Sequence, residues 1–136
     1  KADRGNHPIN CIDPSDAKAY CQAQGKRLTR LEELEWAARG REQRAFPWGE
    51  ANEDSRACIG RKKVGTCAAG ATLSGATPEG VLDLSGNVED LGEWGESYVG
   101  FGGSFFAEKI SQADAKEHRG FSGPKDPRVG FRCASN

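Results

Sequence analysis

Gly25-Lys26-Arg27-Leu28-Thr29-Arg30-Leu31-Glu32-Glu33-Leu34-Glu35-Trp36-Ala37-Ala38-Arg39-Gly40 is the stretch from which the fold can be read. Thr29 and Glu32 stand at T-x-x-E spacing, the pattern of a reciprocal box that satisfies the free amides of a helix start. Leu31, Leu34 and Ala38 then recur on one face at helical period, and Gly40 supplies the stop. On the N-terminal side a second short helix is expected after Asp13-Pro14. Asp13 or Ser15 is positioned to cap it, Ala17, Tyr20 and Cys21 form its apolar stripe, and Gly25 ends it. Both helices are too short to stand on intrinsic propensity, so packing must hold them.

On the C-terminal side, residues 41–80 are rich in turn formers, among them Pro47, Gly49, Asn52, Asp54, Gly60, Gly65, Gly70, Gly75 and Pro78. Phe46 and Trp48 are anchors a disordered linker would not carry, so the region reads as ordered loop. Trp36 and Trp48 are assigned to the core. Val81 to Leu84 reads as a short strand or turn, and residues 101–106 and 128–133 read as strands. No internal repeat is visible.

The totals agree with this picture. The chain has 136 residues, a length that fits one domain with a real core. Eighteen glycines against 36% hydrophobic residues point to much loop and little regular structure. A formal charge of −1 gives no global electrostatic case for nucleic acid or an anionic membrane surface. No stretch approaches the roughly 20 apolar residues of a spanning helix. The opening at Lys1 without Met fits a mature or trimmed form. Five cysteines, Cys11, Cys21, Cys58, Cys67 and Cys133, form no C-x-x-C pair. In a small Gly-rich domain they indicate disulfides and an oxidising, extracytoplasmic setting: periplasm, cell surface or secreted. An odd count leaves one thiol, free or paired outside the chain.

Seven segments, in order, resemble the formylglycine-generating enzyme (sulfatase-modifying factor) family. They are His7-Pro8-Ile9-Asn10; Asp16-Ala17-Lys18-Ala19-Tyr20-Cys21; the quoted stretch, with Gly25-Lys26-Arg27-Leu28, Glu33 and Ala37-Ala38-Arg39-Gly40; Phe46-Pro47-Trp48-Gly49; Gly80-Val81-Leu82-Asp83-Leu84-Ser85-Gly86-Asn87-Val88; Gly102-Gly103-Ser104-Phe105; and Gly130-Phe131-Arg132-Cys133-Ala134. Together they cover nearly the whole chain. The resemblance implies an α+β fold, the family's variant of the C-type lectin fold. It has two short helices, a small twisted antiparallel sheet and high loop content, in a single domain over residues 1–136. The start before His7-Pro8 also fits a C-terminal part of a larger protein. The resemblance further implies a disulfide between Cys21 and Cys133. Cys58 and Cys67 flank a short basic turn and are placed to bridge locally. That leaves Cys11, read as a small buried hydrophobe.

The family's oxidases bind copper through a cysteine pair between the G-G-S and G-F-R-C segments, and soft thiolates are what Cu(I) requires. From Phe105 to Arg132 there is no cysteine, so no copper is expected. A related branch uses non-haem iron held by about three histidine-type ligands. Only His7 and His118 are present. Ser104, His118 and Asp114 could be written as a triad, but no G-x-S-x-G elbow supports one. Calcium is the metal the resemblance leaves as a candidate, with the carbonyls of Ser85, Gly86 and Val88 and the carboxylate of Asp90 as oxygen ligands. Glu89, Asp90 and Leu91 stand where the family has Trp, Glu and Trp.

The segment from Phe105 to Phe121 mixes aromatics with charges, as recognition surfaces do. Phe105 is assigned to the core. Phe106, Glu108, Lys109, Gln112, Asp114, His118 and Phe121, with Trp94, are the candidate contacts for a protein or carbohydrate ligand. Residue by residue, the Lys and Glu run also reads as a solvated face. The sequence thus reads as a non-catalytic, extracytoplasmic binding or adhesion domain, with no nucleic-acid partner and no membrane insertion, in keeping with a secreted or bacterial surface protein. The alternatives are a metal-dependent oxidase or oxygenase of the same class taking ligands from another chain, and a structural or regulatory domain of a larger protein with a missing N-terminal region.

Overall fold

The computed structural model describes residues 4–136, so the first three residues of the expected domain lie outside the described ones. Two helices, α1 (Pro14–Ala23) and α2 (Leu31–Arg39), pack against a four-stranded sheet; a two-stranded ribbon lies beside them. The sheet runs β4 (His118–Phe121), β3 (Ser97–Phe101), β2 (Glu89–Trp94), β5 (Val129–Gly130), and the ribbon pairs β1 (Arg27–Leu28) with β6 (Cys133–Ala134). The expected α+β architecture with high loop content is what the chain adopts.

The sheet is mixed rather than purely antiparallel, because β5 joins β2 in parallel. Its other pairings, β2 with β3 and β3 with β4, are antiparallel. Residues 128–133, expected as one strand, divide between the two sheets: Val129 and Gly130 pair with β2, and Cys133 pairs with Leu28. The strand expected over 101–106 ends at Phe101, where Gly102 and Gly103 turn the chain at positive φ. The strand preceding it, β2, was not anticipated. Its glycine and three acidic residues give low strand propensity, which tertiary packing overrides.

Side chains alternate across the sheet. Leu91, Gly100 and Arg119 stand in register on one face, and Asp90, Phe101 and His118 on the other. The second face receives α2. Leu31, Leu34 and Ala38 bury against Leu84, Val99, Phe101 and Ala115. Gly92 lies directly under that helix, where a Cβ would press on the Leu34 side chain at 3.0 Å. The first face receives α1, with Ala17 and Cys21 against Leu91, Phe121 and Val129.

The helix starts differ from the expected chemistry. Glu33, not Glu32, closes α2 by accepting from the Arg30 amide (3.1 Å) while also binding the Arg27 guanidinium. Thr29 is instead drawn into the core, its hydroxyl donating to the Leu91 carbonyl at 3.1 Å. For α1, Asp13 is the N-cap residue and makes no side-chain cap, and Pro14 opens the helix with its fixed φ. Tyr20, assigned to the apolar stripe, is 56% exposed and packs edge-on against Phe131. Trp36, assigned to the core, is 61% exposed, because the stripe of Leu31, Leu34 and Ala38 turns it to the surface. Phe105 is buried as expected, and Trp48 stacks on Phe46 over the ordered loop.

Both disulfides form, Cys21–Cys133 and Cys58–Cys67. Cys11, expected to be buried, is exposed. It sits at φ +56° in a turn whose amide donates to the Asp126 carbonyl (3.2 Å), which directs its side chain away from the core.

Gly102 is the tightest joint between sheet and loops. It has φ +88°, and a Cβ there would collide with the Leu84 carbonyl oxygen. Gly102→Ala is therefore expected to lose about 2–3 kcal/mol, the sum of a left-handed conformation and a backbone clash. Urea unfolding at unchanged slope measures this; a loss under about 0.5 kcal/mol, the level of an ordinary surface substitution, would show that the turn relaxes freely.

Candidate functional site

The first face of the sheet continues past α1 into an open cleft at the β3–β4 side. Glu89 and Arg119 share that face, and the loop after β4 folds back to bring Asp126 and Arg128 beside them. Asp126 is the organising acid. Arg128 donates to its carboxylate from Nε (3.0 Å) and Nη2 (2.7 Å), and Arg119 donates from Nη2 (3.1 Å). The Arg128 amide adds a bond to the same carboxylate at 2.8 Å. Arg119 also donates from Nε to Glu89 at 2.8 Å. The two carboxylates sit behind and the two guanidiniums in front. Side-chain exposure is 8% for Glu89 and 14% for Asp126, against 36% and 37% for Arg119 and Arg128.

Phe106 forms the opposite wall. The Arg128 guanidinium and the Lys62 ammonium each lie 5.5 Å from its ring centroid, at cation–π distance. The ring is held by its own turn: the Ser104 hydroxyl accepts from the Phe106 amide (3.1 Å), and Phe105 packs edge-on behind it. The resulting groove, about 620 Å³, is lined by Phe106 and by every residue from Arg119 to Arg128.

These contacts set the protonation behaviour. Hydrogen bonding from Arg128, foremost, holds the Asp126 carboxyl down to about 2. Burial pushes the Glu89 carboxyl up, opposed by Arg119. Because the Asp126 value is depressed in the folded state, its stabilisation is full above the ordinary carboxyl value near 3.8 and is lost as pH falls toward about 2. Asp126→Asn should therefore remove part of the wild type's acid destabilisation between pH 4 and 2 while lowering stability at neutral pH. Denaturant midpoints across that range test it; parallel pH profiles for the two proteins would show that Asp126 is not the titrating group.

The residues singled out in the sequence separate into two groups. Phe106, Glu108 and Gln112 line the cleft or its rim; Gln112 Oε1 accepts from the Glu108 (2.8 Å) and Lys109 (3.2 Å) amides. Lys109 is exposed, and the Asp114 carboxylate accepts from the Lys116 amide at 2.8 Å, a local turn contact. Phe121 touches the groove, but its ring is buried with Leu91 and Val129, so its role is core packing rather than contact. His118 and Trp94 are brought together on the other face of the sheet, ring centroids 6.0 Å apart. Sequence reasoning missed Lys62, Glu89, Arg119, Asp126 and Arg128. A charge at position 89, inside an otherwise apolar motif, was the one available signal; the others become legible only when the loop folds back.

The turn named for calcium has a different chemistry. Asp90 is 3% exposed and its carboxylate faces the Arg132 guanidinium at 2.9 Å. Arg132 also donates to the Leu82 (3.1 Å) and Asp83 (3.3 Å) carbonyls. The single carboxylate in the set with Ser85, Gly86 and Val88 is thus already neutralised by an internal cation, and the donor set does not fit a calcium ion. Asn87, at φ +64°, staples the turn to the small disulfide loop by exchanging side-chain bonds with the Cys67 backbone. Nor do the residues fit copper: four cysteines are consumed in disulfides, and Cys11 alone offers one thiolate. Among the described residues no group of three or more His, Cys, Asp or Glu is placed to hold a metal ion.

Residues 1–136 match the family described as sulfatase-modifying factor enzyme 1-like domain. The formylglycine-generating enzyme of Mus musculus is 49% identical over 47 residues, 34% of this chain and 13% of that protein. Among solved structures, the crystal structure of CarF superposes with a TM-score of 0.73 at 18% identity, covering 98% of this chain and 69% of that one. PvdO from Pseudomonas aeruginosa gives 0.69 at 19% identity, over 93% and 60%. Treponema denticola variable protein 1 gives 0.62 at 22% identity, over 77% and 45%. At these identities the structural likeness speaks to the fold.

Proposed function

The chain belongs to the sulfatase-modifying factor enzyme 1-like domain family, and from that premise we propose that it is a non-catalytic member that binds a protein or glycan ligand outside the cytoplasm through the cleft around Phe106. The observation that carries this reading is the content of the interval between Gly103 and Gly130. The family resemblance implies a copper-binding thiol pair there. In that interval this chain instead places an aromatic ring, two forward guanidiniums and the Asp126 carboxylate, joined from outside it by the Lys62 ammonium and the buried Glu89 carboxylate. Such a set supplies aromatic and charge-assisted contacts, the usual anchors of recognition, and no redox centre.

The extracytoplasmic setting is supported by two disulfides that close four of five cysteines. Among the described residues no helix is long and apolar enough to cross a membrane.

Two measurements test the proposal together. The first is copper and iron content by elemental mass spectrometry after metal loading, with a free-thiol titration. The expected result is no stoichiometric metal and one reactive thiol; tight copper or iron binding would overturn the reading. The second is a screen of peptides and glycans with the native protein and Phe106→Ala in parallel. Ligands of the cleft should lose about tenfold or more in affinity with the variant, the weight of a buried aromatic contact.

A further inference from the structure

Resting on the reading of the Phe106 cleft as a binding site, we propose that its ligand is an extended acidic segment of another protein, laid along β4 as an added strand with a carboxylate received by Arg119 and Arg128.

Three observations converge on this occupant. The first is the sheet edge. In the order β4-β3-β2-β5, strand β4 pairs with β3 on one side only, and no described strand covers the other. An outer strand presents a row of backbone donors and acceptors, the template used when a peptide adds to a sheet. His118–Phe121 is short, but it has no proline or lysine, and its one arginine is tied to Glu89 and Asp126.

The second is the direction of the groove. Its lining includes every residue from Arg119 to Arg128, so it follows the strand and then the returning loop. A ligand that enters it lies beside β4.

The third is charge. The hydrogen bonds that hold the two guanidiniums use Nε and Nη2 of each, toward Glu89 and Asp126 behind them. Nη1 of each has no hydrogen-bond partner among the described residues, and both groups are over a third exposed. Paired guanidiniums preoriented by buried acids suit a carboxylate, because the geometric cost of fixing the arginines is met within the fold. Lys62, over the Phe106 ring, adds a third cation on the far wall. A basic segment would face all three charges. Side chains alternate along an added strand, so every second residue of the ligand points into the cleft. An alternating acidic sequence is the simplest match.

The probe is a short, fluorescently labelled Thr-Glu repeat peptide, read by anisotropy with the whole chain. Binding is expected, weaker at higher salt as exposed charges are screened. A Thr-Lys repeat is expected not to bind. Arg128→Gln should weaken the Thr-Glu peptide about tenfold, the effect of one charge-assisted hydrogen bond. Arg128 lies at the surface end of the network, and Lys62→Gln, on a separate loop, provides a second variant if Arg128→Gln unfolds early. N-methylation of alternate peptide amides, in the register that faces β4, should abolish binding without altering any side chain of the protein. Equal binding of the Thr-Glu and Thr-Lys peptides overturns the proposal. So does full binding by peptides N-methylated in either register, which would mean carboxylate capture without strand addition. Binding of an acidic polysaccharide but not of the peptide also overturns it, yet leaves the cleft a recognition site; the metal and thiol measurements and the Phe106→Ala screen decide that broader reading.

Discussion

Replacing Cys21 and Cys133 together by Ala should lower the free energy of unfolding by about 4–5 kcal/mol, which corresponds to a fall in melting temperature on the order of 15 °C. The bond spans 112 residues and ties α1 to β6, the last strand. Its removal frees nearly the whole chain in the unfolded state, and loop entropy grows with the logarithm of that length. The Cys58–Cys67 bond spans 9 residues, and the same relation gives about 2–3 kcal/mol for it. Chemical denaturation of the two Ala pairs, compared with wild type, separates the contributions. Equal losses would show that local strain and packing, not chain entropy, set the value of the bridges. The long bridge bears on the cleft as well. It fixes the final segment, which begins with Arg128 of the site and continues through β5 and β6.

The parts of the fold that were legible in the sequence are those set by local chemistry. The stripe Leu31, Leu34 and Ala38, the stop at Gly40 and a first helix beginning near Asp13-Pro14 need only near neighbours to be read, and all are present. The parts that escaped are set at long range. Thr29 has the right spacing to cap α2, but a carbonyl of β2, sixty-two residues on, takes its hydroxyl. Trp36 reads as core from its composition alone, yet its place on the helix turns it outward. Strand β2 has too many acids to look like a strand, because two of those acids are held by arginines from β4 and from the chain after β5. The site divides in the same way. Phe106 was visible as an aromatic among charges. Arg119, Asp126 and Arg128 acquire their meaning from a loop that doubles back across the sheet, and no periodicity announces such a loop.

Arg132→Met should cost about 3 kcal/mol at neutral pH, and most of that cost should disappear in acid. Asp90 is nearly fully enclosed, and burial, the larger influence, raises its carboxyl above the ordinary value while the Arg132 charge opposes the rise. Met keeps the length and packing of the arginine stem but removes the charge, leaving a buried carboxylate without its counter-ion, which is the expensive way to break an ion pair. Without Arg132 the Asp90 carboxyl rises further. A group whose folded value is raised destabilises the fold above that value and ceases to do so below the unfolded value near 3.8. The deficit of Arg132→Met relative to wild type should therefore be largest at neutral pH and shrink as pH falls toward 4. What persists in acid is the loss of the bonds to the Leu82 and Asp83 carbonyls, which do not titrate. The double replacement Asp90→Leu with Arg132→Met should recover most of the neutral-pH loss, since an apolar pair of similar volume avoids both desolvated charges. A deficit independent of pH, with no recovery in the double variant, would mean that Arg132 serves the fold through its carbonyl contacts alone. In that case the Asp90 carboxylate would not depend on the guanidinium for its charge balance, and the ground for setting calcium aside at this turn would fall with it.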